Sequence, residues 1–257
     1  MGQITQWNCV IPRQAWQQTL QAALKQCGLP LVADDRDRRV VRPAALGYQS
    51  AIARRLAGPT PSQAAMIAAQ IAAAVSGSDF QVTVGDRDAA DLLATWNPTA
   101  IAAWLRELTV TLTGNTSLPS VASASDPFVP VQYASARCTM LLQLAAQQRW
   151  LAGAVDPTTG LWQSADPPLD LTSATQGWQP VDWALCGQLL AIADAQLRPA
   201  ADWRRLGLAL GEALLTWQQQ QPLASARRSQ LGLLVATQRV FVWLLTVPGG
   251  LSPHFEL

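Results

Sequence analysis

The chain of 257 residues is long enough for one large domain or for two of ordinary size. Its apolar fraction of 49% and charged fraction of 14% predict a substantial buried core and exclude an intrinsically disordered protein. A formal net charge of +1 excludes promiscuous nucleic-acid binding, because such binding depends on neutralising many phosphates. We therefore expect no DNA binding, and any contact with RNA has to be local.

No segment of the sequence predicts a membrane span or a secretory signal. The most apolar run, 231–247, is shorter than the roughly 20 residues that a spanning helix needs, and Gln238 and Arg239 interrupt it. The opening MGQITQWNCVIPRQ lacks the charged and apolar regions of a secretory signal. The four cysteines include no CxxC pair, which favours reduced, buried thiols and a cytoplasmic protein that binds no metal. They are Cys9, Cys27, Cys138 and Cys186.

The first 60 residues predict two helices separated by a loop. Apolar residues recur at three- and four-residue steps over 14–27, which indicates one buried helical face, and Gly28 ends that helix. The stretch DDRDRRVVR alternates in charge and predicts a solvated loop. A second helix is predicted in YQSAIARRLAG, where Tyr48, Ile52 and Leu56 share a face.

The following 50 residues predict a helix, a strand and another helix. The alanine-rich stretch 62–75 carries one apolar stripe, and FQVTV, at 80–84, alternates apolar and polar residues as a half-buried strand does. Asn97 and Pro98 have the chemistry of an N-cap followed by the first helical position. The front half therefore predicts a small α+β unit.

Beyond a linker rich in Gly, Ser, Thr and Pro, at 113–127, the pattern is helical to the end, with no strand signal. The loop at 153–180 is long for a compact domain, so it is either functional or packed down by Trp162 and Trp178. We favour packing. The predicted helices are Tyr133–Leu151, Val181–Leu197, Asp202–Gln220 and Ser225–Val247.

The stretch VQYASARCTMLLQLA resembles the opening helix of the DALR anticodon-binding domain of arginyl-tRNA synthetase. That family typically shows a valine-glutamine-tyrosine-alanine-histidine-alanine-arginine run, and here Ser135 replaces the histidine. The stretch LGLLVATQRVFVWLLTVPGG is similar to the last helix of that domain, whereas Trp217 and Gln218 replace an aromatic pair of the family. The matching residues are Val131, Gln132, Tyr133, Ala134, Ala136 and Arg137.

The front half resembles the amino-terminal additional domain of the same synthetases. In LGYQSAIARRLAG, the family's Gly-Asp-Tyr-Gln-Ser-Asn run is matched at Gly47, Tyr48, Gln49 and Ser50, and Ala51 departs from it. The stretch GDRDAADLLATW departs from the glycine-rich turn and strand that the family has there. Together the two resemblances cover about 13–110 and 128–250.

The resemblance implies a mainly α fold: an α+β domain at 1–112, a linker at 113–127 and an all-α helical bundle of the DALR type at 128–257. The synthetase's catalytic domain has no counterpart, because 113–127 is far too short for a nucleotide-binding domain. The His-Ile-Gly-His signature and the lysine-rich loop are excluded, since His254 is the single histidine and Lys25 the single lysine. We expect no enzyme and no cofactor.

The implied function is that of a non-catalytic paralogue that binds the anticodon arm and elbow of an arginine-type tRNA. An exposed Tyr133 would stack on an unpaired base while Arg137 contacts phosphate. The alternative is that Tyr133 packs in the bundle and that Arg137 pairs with Asp182 or Asp194. The residues expected to bind RNA are Gln132, Tyr133, Arg137, Trp217, Arg227, Arg228, Arg239, Tyr48 and Gln49.

A second function is open, that of an adaptor which reuses the fold to bind a protein. The loop bearing Trp162 and Trp178, together with Trp217, would supply aromatic anchors. The basic residues of the last helices are also open to two interpretations, because adjacent arginines decorate a solvated face as readily as they line a groove. A subunit that selects tRNA for a separate enzyme is a third, weaker hypothesis.

Overall fold

The computed structural model describes residues 9–31, 37–42, 45–75, 79–85, 90–111, 128–156, 161–164, 177–198 and 200–246. These residues are mainly helical and include a four-stranded and a two-stranded antiparallel sheet. They form two compact units, divided within a helix between Ile101 and Ala102, and Cys9 belongs with the later unit. The predicted linker at 113–127 lies outside the described residues. The mainly α fold class with an α+β front part is confirmed at this level.

In the first unit, strands pair in the order β1-β2-β4-β3, every pair antiparallel, and the helices join them. Trp16 and Tyr48 are buried with Phe80, and the ring centroids of Trp16 and Phe80 are 5.3 Å apart. The elements are α1 (Pro12–Gln26), β1 (Arg38–Arg42), β2 (Ala45–Ser50), α2 (Ile52–Ala57), α3 (Pro61–Ala74), β3 (Phe80–Val84), β4 (Leu92–Trp96) and α4 (Pro98–Thr111), which continues past the division.

Local signals in the sequence correctly predict where several of these elements begin and end. The Oδ1 atom of Asn97 accepts a 2.8 Å hydrogen bond from the backbone N–H of Ala100, which confirms the predicted cap of α4. Gly28 adopts φ +66° just after α1, where the predicted helix ends, and a left-handed residue there is the usual helix terminator. The strand FQVTV also has its predicted bounds.

Two predictions in the first unit are wrong. The stretch placed in a solvated loop contains β1, which is exposed on both faces but has its backbone paired with β2. Tyr48 lies in β2 rather than on a helix, and the helix begins only at Ile52. Gly47 makes this strand possible, because a Cβ at that position would collide with the carbonyl oxygen of Ala94 in β4.

In the second unit, all four predicted helices are confirmed with small shifts at their ends. The prediction that no strand follows residue 127 is wrong, since a short antiparallel hairpin lies between the first two of these helices. Its strands have three residues each, too few for alternation to be visible in the sequence. The elements are α5 (Val129–Gln147), β5 (Gly153–Val155), β6 (Trp162–Ser164), α6 (Pro180–Ala195), α7 (Trp203–Gln220) and α8 (Arg228–Thr246).

The helices α5 to α8 pack side by side, with α5 and α6 each contacting α7 and α8. Helices α5 and α7 run in the same direction, because Cβ atoms added to Gly207 and Gly211 would lie 2.9 Å from Val131 Cγ2 and 3.1 Å from Ala134 Cβ. Side-chain hydrogen bonds join the start of α6 to the end of α7 and to the start of α8. Helices α6 and α8 therefore run opposite to α5 and α7, and α5 lies diagonally across from α6.

Candidate RNA-binding surface of the helical unit

Tyr133 and Arg137 lie one turn apart on α5, and we call these two residues the α5 patch. The Tyr133 side chain is 54% exposed, so the alternative in which it packs inside the bundle is wrong. Arg137 is half-buried, and its Nε donates a 3.0 Å hydrogen bond to Oε1 of Gln218 near the end of α7. The neighbouring helix thus holds the guanidinium beside an exposed aromatic ring, an arrangement suited to an unpaired base and its phosphate.

Two pairs of exposed arginines begin α7 and α8. Arg204 and Arg205 lie in the first turn of α7, where the Asp202 side chain caps the helix by accepting from the backbone N–H of Arg205 at 3.0 Å. Arg228 is the first residue of α8 and Arg227 precedes it. Helix N-termini carry partial positive charge, so cations there oppose the helix dipole while anions are attracted.

The two arginine pairs lie at opposite ends of the helical unit. Gly207 faces Val131, so the start of α7 lies beside the start of α5, at the same end as Tyr133. The Cys138 Sγ donates to the carbonyl of Leu234 at 3.5 Å, which places Arg228 toward the other end of α5. By a helical rise of about 1.5 Å per residue, Arg228 lies about 16 Å from Tyr133 along the axis.

Arg227 is also on a different side of the unit. Its guanidinium lies against the backbone of Gly177, at the position that a Cβ would occupy there, just ahead of α6. Because α6 is diagonal to α5, this side chain and the α5 patch do not form one continuous surface. The structure therefore brings Tyr133 and Arg137 together and separates them from Arg227.

Three other predicted RNA-binding residues of this unit are buried. Gln132, Trp217 and Arg239 all lie in the core. Trp217 Nε1 donates a 2.7 Å hydrogen bond to Oδ1 of Asp182, and Arg239 Nη2 donates a 2.9 Å bond to the carbonyl of Trp162. Asp182 thus pairs with Trp217 and not with Arg137, so the predicted pairing of Arg137 with that carboxylate is absent.

The two predicted contacts in the first unit are held by protein groups. Tyr48 is buried in the core beside Phe80, with ring centroids 6.5 Å apart. The amide Nε2 of Gln49 donates a 2.8 Å hydrogen bond to Oδ2 of Asp91, whose other oxygen pairs with Arg54. Tyr48 is thus a core residue, and the amide nitrogen of Gln49 is engaged with Asp91.

The tryptophans expected to anchor a partner, or to pack down the loop, are also buried. Trp162 lies in β6 and Trp178 just before α6, where its ring meets that of Trp183 edge to face at 5.0 Å. The favoured interpretation, packing, is therefore confirmed for these two side chains.

The sequence reasoning missed an apolar face on α5. Val129, Met140 and Leu144 are exposed and lie on the same face as Tyr133 and Arg137, with Val129 four residues before Tyr133 and the other two three and seven residues after Arg137. The same spacing in a sequence indicates a buried face, so the pattern was consistent with core packing. Only the packing of α7 and α8 on the other side of α5 shows that this face is open.

Among the described residues of 128–246, the exposed charged side chains are mostly positive. Between 128 and 246 the described residues include eight arginines, of which Arg239 alone is buried. They also include five acidic residues, of which Asp182 and Asp194 are buried. Among these described residues the exposed charge is therefore more positive than the near-neutral charge of the whole chain.

Among the described residues, no group of three or more His, Cys, Asp and Glu side chains could hold a metal ion. None of the described helices combines the length and apolar character needed to cross a membrane. No protein-family model, no curated protein and no solved structure matches the chain. The resemblance to arginyl-tRNA synthetase therefore remains a prediction from the motifs.

Proposed function

We propose that the protein binds tRNA through its helical unit and does not aminoacylate it. The observation that carries the proposal is the pairing of an exposed Tyr133 with Arg137 on α5. Stacking on an aromatic ring and a charged contact to phosphate are the two contacts with which proteins hold unpaired nucleotides. In this proposal the unit is a DALR-type anticodon-binding domain, and the RNA is of the arginine type.

The charges of the unit support the same proposal. Among the residues that the structure describes between 128 and 246, exposed arginines outnumber exposed acidic residues, and two arginine pairs stand at helix N-termini, where they oppose the helix dipole. Because arginines at these positions weaken their helices, ligand binding would explain their presence. The ligand that a helix N-terminus favours is an anion. Arg204 and Arg205, at the same end as Tyr133, are the second contact region.

Filter binding with arginine tRNA at about 100 mM salt tests the proposal. We expect a dissociation constant below about 10 μM for the wild-type chain, with affinity falling as salt is raised. Tyr133→Ala should weaken binding by about 5-fold to 100-fold, the range for loss of one stacked base. Tyr133→Phe keeps the ring and is the matched control, which should bind like the wild type.

Two results would contradict the proposal. One is binding weaker than about 10 μM for every tRNA tested, which is outside the range of specific recognition. The other is equal binding by Tyr133→Ala and Tyr133→Phe, which would remove stacking from the interaction. ATP-pyrophosphate exchange with arginine should be absent throughout, and activity there would contradict the non-catalytic part.

A second candidate function, an adaptor, is favoured by the apolar face of α5. Met140 and Leu144, with the latter 42% exposed, continue the line of Tyr133 along the helix. Exposed apolar side chains in a row are typical of a surface that another helix covers. Since the exposed charges of the described helical residues are mostly arginine, the complementary partner is an amphipathic helix with acidic flanks.

Co-purification from native extract treated with ribonuclease separates the two candidates. An adaptor should retain a stoichiometric protein after that treatment and lose it in the double variant Met140→Glu/Leu144→Glu. Tyr133→Phe should retain it. Recovery of nucleic acid alone from untreated extract, and of nothing after ribonuclease, would exclude the adaptor and support RNA binding.

A further inference from the structure

Gln218, in the last turn of α7, is the hydrogen-bond partner of Arg137 in the α5 patch. Its Oε1 accepts from Arg137 Nε at 3.0 Å, and because a guanidinium has only donors, the amide oxygen has to face it. The backbone of α7 is fixed at this level, since the preceding residue, Trp217, is buried and donates to buried Asp182 at 2.7 Å. Gln218 therefore holds the Arg137 side chain from a rigid part of the helical unit.

The contact with Gln218 leaves the outer edge of the guanidinium open. Among the described residues, Nη1 and Nη2 of Arg137 meet no acceptor, and neither atom is shut off from solvent. Arg137 also forms no ion pair with a carboxylate of the described part of the chain. Because the amide of Gln218 is neutral, it orients the guanidinium without cancelling its charge. Two adjacent charged donors thus stand one helical turn from the exposed ring of Tyr133.

These two donors suit the phosphodiester of a nucleotide whose base stacks on Tyr133. A phosphodiester carries one negative charge and two accepting oxygens, which the two Nη groups of a guanidinium can bind together. An arginine that moved freely would have to be ordered when the RNA binds, at a cost in affinity. Since Gln218 orders Arg137 beforehand, part of that cost is already met in the free protein.

We propose that Gln218 is a positioning residue for RNA binding, whose neutral amide keeps the charge of Arg137 available to the phosphodiester of an unpaired nucleotide. This inference rests on the proposed tRNA-binding function and deepens it. A carboxylate at position 218 would hold the guanidinium more tightly and would also neutralise it. A Gln218 that served stability alone would tolerate that change, whereas a Gln218 that serves RNA binding does not.

The substitution Gln218→Glu separates these two roles, with filter binding of arginine tRNA measured from about 50 to 200 mM salt. We expect affinity to fall by about 10-fold or more, the loss of a charge-assisted contact. The slope of log affinity against log salt should decrease by about 1, because one phosphate contact is lost. Gln218→Ala, which frees Arg137 but leaves its charge, should weaken binding by about 3-fold to 10-fold with an unchanged slope.

The matched control is Gln219→Glu, at the exposed next position of α7. It adds the same negative charge to the same helix end, so the general repulsion of RNA and the cost against the helix dipole are common to both variants. Gln219→Glu should weaken binding by less than about 3-fold, because solvent screens an exposed charge. In urea unfolding Gln218→Glu should be at least as stable as Gln219→Glu, since its carboxylate has Arg137 as a partner.

A double-mutant cycle with Arg137→Met shows whether Gln218 acts through Arg137. In that background Gln218→Glu should have no more effect on RNA affinity than Gln219→Glu has, since no guanidinium is left to neutralise. Should Gln218→Glu not fold, the cycle of Gln218→Ala with Arg137→Met decides in its place. The losses of affinity in those two variants should then be clearly less than additive.

The inference would be overturned by equal RNA affinities of Gln218→Glu and Gln219→Glu, or by a loss in Gln218→Glu that persists in full in the Arg137→Met background. An unchanged salt slope in Gln218→Glu would also contradict it, because the phosphate contact would then be intact. Wild-type binding of tRNA together with any of these results removes the role of Gln218 alone. Absence of tRNA binding by the wild-type chain removes the proposed function, and this inference with it.

Discussion

The indole Nε1 of Trp217, near the end of α7, donates a 2.7 Å hydrogen bond to Oδ1 of Asp182, in the first turn of α6. The other carboxylate oxygen accepts from Gln230 Nε2 on α8 at 2.9 Å and from the backbone N–H of Gln179 at 2.6 Å. One fully buried carboxylate therefore joins three helices and caps one of them. Trp217 is a structural residue of this network.

Replacing Asp182 should be strongly destabilising. Asp182→Ala leaves the Trp217 indole, the Gln230 amide and a helix N–H without an acceptor, and each orphaned buried donor costs about 1–3 kcal/mol. We expect the free energy of unfolding to fall by about 3 kcal/mol or more, measured by urea unfolding with circular dichroism. The control is Asp202→Ala, an exposed cap of α7, which should cost about 1 kcal/mol. Equal losses of unfolding free energy in Asp182→Ala and Asp202→Ala would show that the hydrogen bonds of Asp182 to Trp217 and Gln230 add no stability beyond that of a helix cap.

The close contact of α5 with α7 predicts a second stability effect. A Cβ at Gly207 would lie 2.9 Å from Val131 Cγ2, and a valine in a helix has little freedom to rotate away. Gly207→Ala should therefore lower stability by about 1 kcal/mol, although alanine is the better helix former by about the same amount. Combining it with Val131→Ala should recover part of that loss in a double-mutant cycle. Additive effects of the two changes would contradict the contact.

The cysteines should differ sharply in reactivity. Burial raises the pKa of the Cys138 thiol, and burial together with the charge of Asp182 raises that of Cys186. Because the thiolate is the reactive form, these two groups should stay inert in the folded protein even at pH 9. Cys27 is partly exposed, whereas Cys9 is buried. A disulfide-exchange reagent should label one thiol, that of Cys27, in a fast phase. The variant Cys27→Ser should lack this fast phase. A fast phase that persists in Cys27→Ser would contradict the prediction.

The sequence predicts the second unit well because its helices are long and each has its own start and stop signals. The Asn97 cap and the Gly28 terminator are local chemistry, and both are where the sequence places them. β1 was missed for the opposite reason. A strand exposed on both faces shows no alternation of polarity, and the alternating charges of this stretch do not reveal that its backbone pairs with β2.

The candidate site was harder to predict than the fold. Tyr133, Trp217 and Arg239 were all expected to bind RNA, yet the first is exposed and the other two are buried. Which side of a helix faces its neighbours depends on residues far away in the chain, such as Gly207 against Val131. Helical spacing shows which residues share one face of a helix. It does not show whether another helix covers that face.

Arg149 offers a test of local backbone strain. It follows α5 with φ +60°, and the backbone N–H of Trp150 bonds to the carbonyl of Ala145 at 2.9 Å, which is the helix-ending motif that normally has glycine at this position. A side chain in the left-handed region costs about 1 kcal/mol. Arg149→Gly should raise the free energy of unfolding by up to that amount. Arg149→Ala, which keeps the Cβ, should give no gain, and a gain in both variants would point to charge instead.

Arg228 should show a trade between stability and RNA binding. As the first residue of α8 it opposes the helix dipole, so Arg228→Glu should raise the free energy of unfolding by about 1 kcal/mol, seen as a higher melting temperature.

If Arg228 contacts phosphate, the same change should weaken tRNA binding and reduce the slope of log affinity against log salt by about 1. Glu212→Arg, at an exposed position in the middle of α7, changes the net charge by the same amount in the opposite direction, away from a helix end, and is the control for general attraction. Because Arg228 lies about 16 Å from Tyr133 along the helices, its contribution should add to that of Tyr133→Ala without coupling. Higher stability with unchanged RNA affinity would restrict the contact surface to the end of the unit that bears Tyr133, Arg204 and Arg205.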